Sequence, residues 1–294
     1  GGGAISANGT YTLANCAFAG NDAAVNGGNA PIFTPEQVAI FNRGTDWQEA
    51  ILYRNAPTQR HNVRFSSATS RSSFTASASY LDQDGIIAEF KSSFKRYTAN
   101  ISADHKLLPK DALKVGANVV ASYVTKQSVT QNSSTAGPLL GALNMDPLTP
   151  VYDPYQTDEL YGGFGSSKYV SQEVVNPVAR IHYSAGHTEY TTLKGGVYAE
   201  LKFLKDFTLK GQANADVTWT DGFGYSPMYK LNSTTGNTTA NGASQNYSKS
   251  IRLSYEAYLS WAHTYGEHNL SAMENLFAGY VESRLDQYLK ILQD

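Results

Sequence analysis

The chain has 294 residues and a net charge of −2, and charged residues make up only 16% of it, against about 25% in typical soluble domains. The near-neutral charge and the lack of a Lys/Arg cluster argue against a nucleic-acid-binding protein, and the absence of any long apolar run excludes a transmembrane helix. The single cysteine, Cys16, excludes an internal disulfide and a cysteine metal cluster, and no cofactor motif is present.

The first 57 residues predict a loop region with two short helices. Residues 1–30 are rich in Gly, Ala and Asn and show no periodicity. The sequence Thr-Pro-Glu-Gln at 34–37 has the form of a capping box, which predicts a helix to about Phe41. Asp46 is a suitable N-cap for a second helix that extends through Tyr53.

From residue 58 onward the chain alternates between apolar and polar residues. Between Phe207 and Trp219 every odd position is apolar or small and every even position is polar, which predicts a strand with one apolar face. Eight strands follow from this pattern: 59–67, 72–81, 94–105, 112–124, 188–201, 207–220, 249–263 and 268–277.

The predicted connections alternate between short and long. Four are short turns, whereas the loops at 82–93, 125–187 and 221–248 are long. Short turns on one rim and long loops on the other are typical of transmembrane barrels, and strands of this length suit a bilayer. The sequence predicts an all-β fold, an antiparallel up-and-down transmembrane β-barrel over residues 58–280. A large soluble β-sandwich is the alternative, although its strands are usually shorter.

The last segment, 281–294, has apolar residues at helical spacing: Val281, Leu285, Tyr288, Leu289 and Leu292. This spacing predicts a short amphipathic helix rather than a closing strand. Because the preceding strand starts at a short turn, we expect the helix in the next long loop.

Several sequence words occur together in one order. These are TDWQEAI at 45–51, YLDQDGII at 80–87, FKRY at 94–97 and NPVAR at 176–180. With them the chain resembles the SusC/RagA family of TonB-dependent outer-membrane transporters of Bacteroidetes-type Gram-negative bacteria. The resemblance extends over about residues 33–278.

The resemblance implies a partial barrel. Members of the family have a plug domain followed by a barrel of about 22 strands, so we expect this chain to be a fragment with about eight of them, lacking the plug. Residues 1–57 are then an extracellular loop. The implied function is TonB-dependent import of a nutrient, glycan oligomers or peptides, across the outer membrane. The implied partners are a SusD-like surface lipoprotein, the TonB complex through the missing plug, the glycan or peptide ligand, and outer-membrane lipid.

Aromatic residues in the long loops are the candidate ligand-binding residues, because aromatic faces stack on sugar rings. With one neighbouring carboxylate, they are Tyr152, Asp153, Tyr155, Tyr161, Phe164, Tyr169, Phe223, Tyr225 and Tyr229. The alternative is that these side chains pack loop against loop or contact a partner. Asp153 with Asp158 or Glu159 resembles a glycosidase pair only in composition, since no rigid frame is indicated. We therefore predict no catalytic residue and no enzyme activity.

A second function is consistent with eight strands. Eight strands can close into a small barrel with a filled interior, which would serve as a stand-alone adhesin or structural surface protein. The predicted C-terminal helix argues against closure, because a complete barrel needs a strand there to remove the open edge.

Overall fold

The computed structural model of the protein describes residues 44–129, 137–170 and 173–293. Eight long antiparallel strands dominate it, together with a small two-stranded hairpin, β7–β8, and three short helices. The strands are β1 Thr58–Ala68, β2 Ser72–Asp84, β3 Ser93–Leu107, β4 Leu113–Gln127, β5 Gly186–Phe203, β6 Phe207–Ser226, β7 Tyr229–Lys230, β8 Gly236–Asn237, β9 Asn241–Tyr265 and β10 His268–Gln293. The helices are α1 Trp47–Ile51, α2 Pro138–Asn144 and α3 Pro177–His182.

The large sheet follows chain order. Its strands are arranged β1-β2-β3-β4-β5-β6-β9-β10, and each pairs antiparallel with the next. The predicted up-and-down topology and all eight predicted strands are confirmed. In the described part of the chain β1 and β10 form the two edges of the sheet and do not pair with each other, so these strands form an open section of barrel wall.

One face of the sheet is apolar and is bounded by two rows of aromatic residues. Phe207 lies opposite Phe203 and Trp261 in the row near the short turns, and Trp219 lies near the long loops. Twelve residues separate Phe207 from Trp219, which is about 40 Å along a strand and about 28 Å across a bilayer at a tilt of 45°. The face matches the apolar band of a transmembrane barrel. No helix in the described ranges is long and apolar enough to cross a membrane.

The opposite face is polar and carries a row of alternating charges. Lys194, Asp216, Arg252 and Glu282 lie directly opposite one another on β5, β6, β9 and β10. The Lys194 Nζ to Asp216 Oδ2 distance is 2.6 Å, and the Arg252 Nη2 to Glu282 Oε2 distance is 3.0 Å. Opposite charges on directly paired residues favour this register.

Strands β6 and β9 extend beyond their predicted ends. Most of the predicted loop 221–248 is strand, since β6 continues to Ser226 and β9 begins at Asn241. The alternation is interrupted beyond Trp219, because the polar side chains of Asp221 and Gln245 occupy positions in line with the apolar face. Gln245 Nε2 donates to Asp221 Oδ1 at 3.1 Å. Phe223 and Tyr225 lie in the same row, so the pattern there is mixed.

The predicted C-terminal helix at 281–294 is wrong, because β10 runs as a strand from His268 to Gln293. Its partner β9 pairs with it along the whole length, up to Gln293 opposite Asn241, and this pairing outweighs the local helical spacing. The positions 281, 285 and 289 also fit a period of two. A bulge between Asn275 and Phe277 shifts the register by one residue, so Glu274 and Phe277 share the apolar face.

Of the two predicted N-terminal helices, the one ending near Phe41 lies outside the described residues. The second is confirmed but shorter, since α1 ends at Ile51 rather than Tyr53. The Asp46 side chain caps it by accepting a hydrogen bond from the Glu49 N–H at 2.9 Å.

Candidate functional site

The long connections fold together at one rim of the sheet. We call residues 44–53, 137–170, 173–183 and 227–240 the loop cluster. It has two small hydrophobic cores: Trp47, Ile51, Ala142, Met145 and Val174 form one, and Phe164, Val175, Ala179 and Leu231 form the other. The two cores join segments that are far apart in sequence into one body above the strands.

Asp146 is a polar centre of the first core. Its Oδ1 accepts hydrogen bonds from the backbone N–H of Leu148 at 3.0 Å and of Thr149 at 2.8 Å, and its Oδ2 accepts one from Ser167. The Asp146 carbonyl accepts a hydrogen bond from Trp47 Nε1 at 2.7 Å. These bonds attach α1 to the loop that follows α2.

Asn176 is the polar centre of the second core and is completely buried. Its Oδ1 caps α3 by accepting from the N–H groups of Val178 at 3.0 Å and Ala179 at 3.1 Å. Its Nδ2 donates to the carbonyls of Val151 at 2.9 Å and Gly165 at 3.0 Å. One side chain thus satisfies four backbone groups of three segments.

Two contacts link the loop between β4 and β5 to the β7–β8 hairpin. Lys230 Nζ lies 2.6 Å from Asp158 Oδ2, and the ring of Tyr183 stacks on that of Tyr229 at 4.5 Å. The hydrogen bond from Lys230 and that from the Leu160 N–H hold the pKa of Asp158 below its usual range. A lowered pKa means that the Asp158–Lys230 pair persists through mildly acidic pH and is lost only when the pH falls through that lowered value.

Two hollows, of about 1000 and 670 Å³, lie on the apolar side of the sheet. Their walls are mostly apolar side chains such as Val197, Ala213 and Leu193. This surface faces hydrocarbon in a transmembrane barrel, so it is not where a water-soluble ligand binds.

A polar cleft lies at the long-loop rim, under the loop cluster. It consists of two adjoining cavities of about 160 and 280 Å³, which share Ser184 and Ala185, and we call it the rim cleft. The smaller cavity is lined by Arg180, Tyr183, Ser184, Ala185, Tyr225 and Tyr229. The larger is lined by Lys126, Ser128, Ser184, Ala185, Gly186, His187, Thr188, Tyr190, Gly222, Phe223, Gly224, Ser244 and Asn246.

Two glycines of β6 leave room in the larger cavity. A Cβ on Gly222 would lie 2.1 Å from Asn246 Oδ1, and one on Gly224 would lie 2.8 Å from Ser244 Oγ. Both positions point to the polar side of the sheet, where the cleft lies. The missing side chains therefore leave the hydrogen-bonding groups of Asn246 and Ser244 accessible.

Three of the nine predicted ligand-binding residues line the rim cleft: Phe223, Tyr225 and Tyr229. The other six lie in the segment 152–169 and do not line it. Phe164 is buried, Tyr152 stacks on it at 5.0 Å, and Tyr161 lies beside the Lys230 ammonium group. Asp153 Oδ1 accepts from the Tyr155 N–H, while the rings of Tyr155 and Tyr169 are exposed.

The remaining cleft residues were not predicted from the sequence. Arg180 and Tyr183 lie in and just after α3, which the loop composition did not indicate, and Lys126, Tyr190 and Asn246 lie near strand ends. The last three occupy even-numbered positions on the polar face of the sheet. With the strand register known, their even-numbered positions would have identified these three residues as members of the polar face.

The acidic residues near the cleft do not form a glycosidase pair. The Asp153 carboxylate holds a turn, and Asp158 is paired with Lys230. A general acid needs a raised pKa, whereas the pKa of Asp158 is lowered. No group of three or more His, Cys, Asp or Glu side chains suited to a metal ion occurs among the described residues.

We predict that the rim cleft binds a ligand and expect Gly222→Leu to reduce the affinity at least fivefold without preventing folding. The new side chain enters the larger cavity and displaces Asn246, which is a flexible side chain rather than backbone. Gly211→Leu is the matched control, since a Cβ there meets no atom within 4 Å. Ligand binding to the purified full-length protein is the measurement, and equal affinities of the two variants would contradict the prediction.

No protein-family profile matches the chain. Its sequence is similar to TonB-dependent receptor P3 of Formosa agariphila (25% identity, 80% of this chain, 22% of the relative) and to TonB-dependent receptor SusC of Bacteroides thetaiotaomicron (29% identity, 54% of this chain, 16% of the relative). The fold is similar to that of the RagAB peptide importer in its open-open state, with a TM-score of 0.68 and 20% identity over 93% of this chain and 33% of that one. The chain thus spans about a fifth of the length of these curated relatives.

Proposed function

We propose that this chain forms a section of the barrel wall of an outer-membrane importer of nutrient oligomers. The premise is that the chain belongs to the SusC/RagA family of TonB-dependent receptors. The observation that carries the proposal is the sheet with an apolar face between two aromatic rows and a polar face behind it. Such a wall separates lipid from an aqueous lumen.

The imported ligand is an oligomer, either a glycan or a peptide. Two features support this: the rim cleft combines tyrosine rings with hydrogen-bonding side chains, and it lies at the long-loop rim, where a ligand would enter. One solved structure with a similar fold is that of the RagAB peptide importer. In the proposed complex a SusD-like surface lipoprotein covers the long-loop rim, and the TonB complex supplies the energy through a plug domain.

The proposal is tested in the source bacterium with the complete gene. Deletion of that gene should abolish growth on one class of oligomer while growth on the corresponding monomer is unchanged. Deletion of TonB should give the same phenotype, and the neighbouring lipoprotein should co-purify with the receptor. Unchanged growth on every oligomer tested after both deletions would refute import as the function.

A further inference from the structure

The rim cleft contains two cationic side chains without an acidic partner. Within the ranges that the structure describes, neither the Arg180 guanidinium group nor the Lys126 ammonium group lies within ion-pair distance of a carboxylate. Several other cations of the polar face and the loop cluster are paired: Lys114, Lys194, Arg252 and Lys230 each lie between 2.6 and 3.1 Å from a carboxylate oxygen.

The wall of the cleft contributes no negative charge. No acidic residue lines either cavity among the described residues. Two acids lie close by: Glu189 is 3.8 Å from Nε2 of the cleft residue His187, so His187 is not counted as a free basic group, and Asp221 accepts from Gln245. Arg180 is also half-buried, which strengthens its interaction with an anion relative to a fully exposed cation.

We propose that the rim cleft binds an acidic oligosaccharide, with Arg180 in the smaller cavity and Lys126 in the larger each holding a carboxylate or sulfate group of a sugar. This inference rests on the proposed import function and specifies its substrate class. A guanidinium group presents paired N–H donors that match the oxygens of both kinds of anion.

The other features of the cleft fit a sugar better than a peptide. Tyr183, Tyr225 and Tyr229 provide aromatic surface, and Thr188, Ser244 and Asn246 provide partners for hydroxyl groups. A peptide is commonly bound through the free backbone edge of a strand. Strands β5, β6 and β9, which form the cleft, are each paired on both sides.

The test uses the complete receptor, purified in detergent, and calorimetric titration with matched probes. The acidic probes are trigalacturonate, a sulfated galactose tetramer and an acidic pentapeptide, and each has a neutral counterpart: the methyl ester, the desulfated tetramer and the amidated peptide. We expect at least one acidic sugar to bind at least tenfold more tightly than its counterpart. Arg180→Gln should remove most of this preference.

Lys126→Gln should reduce the preference less than Arg180→Gln, because Lys126 is exposed, and Arg180→Lys should restore part of it. Lys168→Gln is the control for general surface charge, since Lys168 is exposed and lies outside the cleft. If no acidic sugar binds better than its counterpart, or if Lys168→Gln has the same effect as Arg180→Gln, the proposal is wrong. A preference for the acidic peptide alone would also overturn it.

Failure of the proposed substrate class can be distinguished from failure of the proposed import function. TonB-dependent growth on a neutral oligomer, with no preference for acidic probes, refutes only the substrate class. Tight, Arg180-dependent binding of an acidic sugar whose uptake does not require TonB refutes the import mechanism and leaves the cleft assignment intact.

Discussion

Replacing Ala213 with Arg should make folding into a bilayer less favourable by about 2–4 kcal/mol, as expected for a cationic side chain at the midplane of a barrel's lipid-facing surface. Ala213 lies halfway between Phe207 and Trp219 on the apolar face, opposite Val197 and Tyr255. An Arg there places its charge as far as possible from both interfaces, so the charge has the longest path to water.

The matched control is Asn214→Arg, one residue further along β6. Asn214 lies on the polar face opposite Gly196 and Ser254, where a lumen-facing charge is solvated. The fraction of full-length receptor that folds into lipid vesicles, read from heat-dependent gel mobility, measures both variants. If Asn214→Arg were the more damaging of the two, the assignment of the faces to lipid and lumen would be reversed.

Replacing Asn176 with Ala should destabilise the loop cluster by about 2–4 kcal/mol. The change removes the cap of α3, which is worth about 1 kcal/mol, and leaves the buried Gly165 carbonyl without a donor, at a cost of about 1–3 kcal/mol. The Val151 carbonyl still accepts a bond from the Gly165 N–H, so its loss is smaller. Nothing in the strands depends on Asn176, so the barrel itself should still form.

Limited trypsin digestion of the folded receptor measures this effect, because the cluster contains potential cleavage sites at Lys168, Arg180 and Lys230. Cleavage in the cluster should be at least tenfold faster in Asn176→Ala than in the wild type. Asn144→Ala, an exposed asparagine at the end of α2, should leave the rate unchanged. Equal resistance of the two variants would mean that the cluster does not depend on the Asn176 hydrogen bonds.

The sequence is sufficient to predict the strands inside the apolar band, because lipid on one side and water on the other impose a period of two. The regular alternation from Phe207 to Trp219 is the clearest instance. The same reasoning fails outside the band, where β6 continues to Ser226 and β10 to Gln293. There the strands are specified by pairing with their neighbours, and a local pattern does not contain that information.

The candidate site is predictable only in part. Tyr225 and Tyr229 stand out as aromatic residues in a long loop, whereas Arg180 is one cation among many until α3 brings it beside them. In the sequence Phe164 is an aromatic loop residue like its aromatic neighbours, yet it is buried in the second core. Burial and cleft lining depend on contacts between residues more than 40 positions apart, such as Asp158 and Lys230, which are 72 positions apart.

The contacts between the two long loops couple their movements. Tyr183 and Asp158 belong to one loop, Tyr229 and Lys230 to the other, and Leu231 completes a core that both loops share. Segments that share a core open together as one cooperative unit. The two loops therefore unfold or shift together, and a contact that restrains one of them also restrains the other.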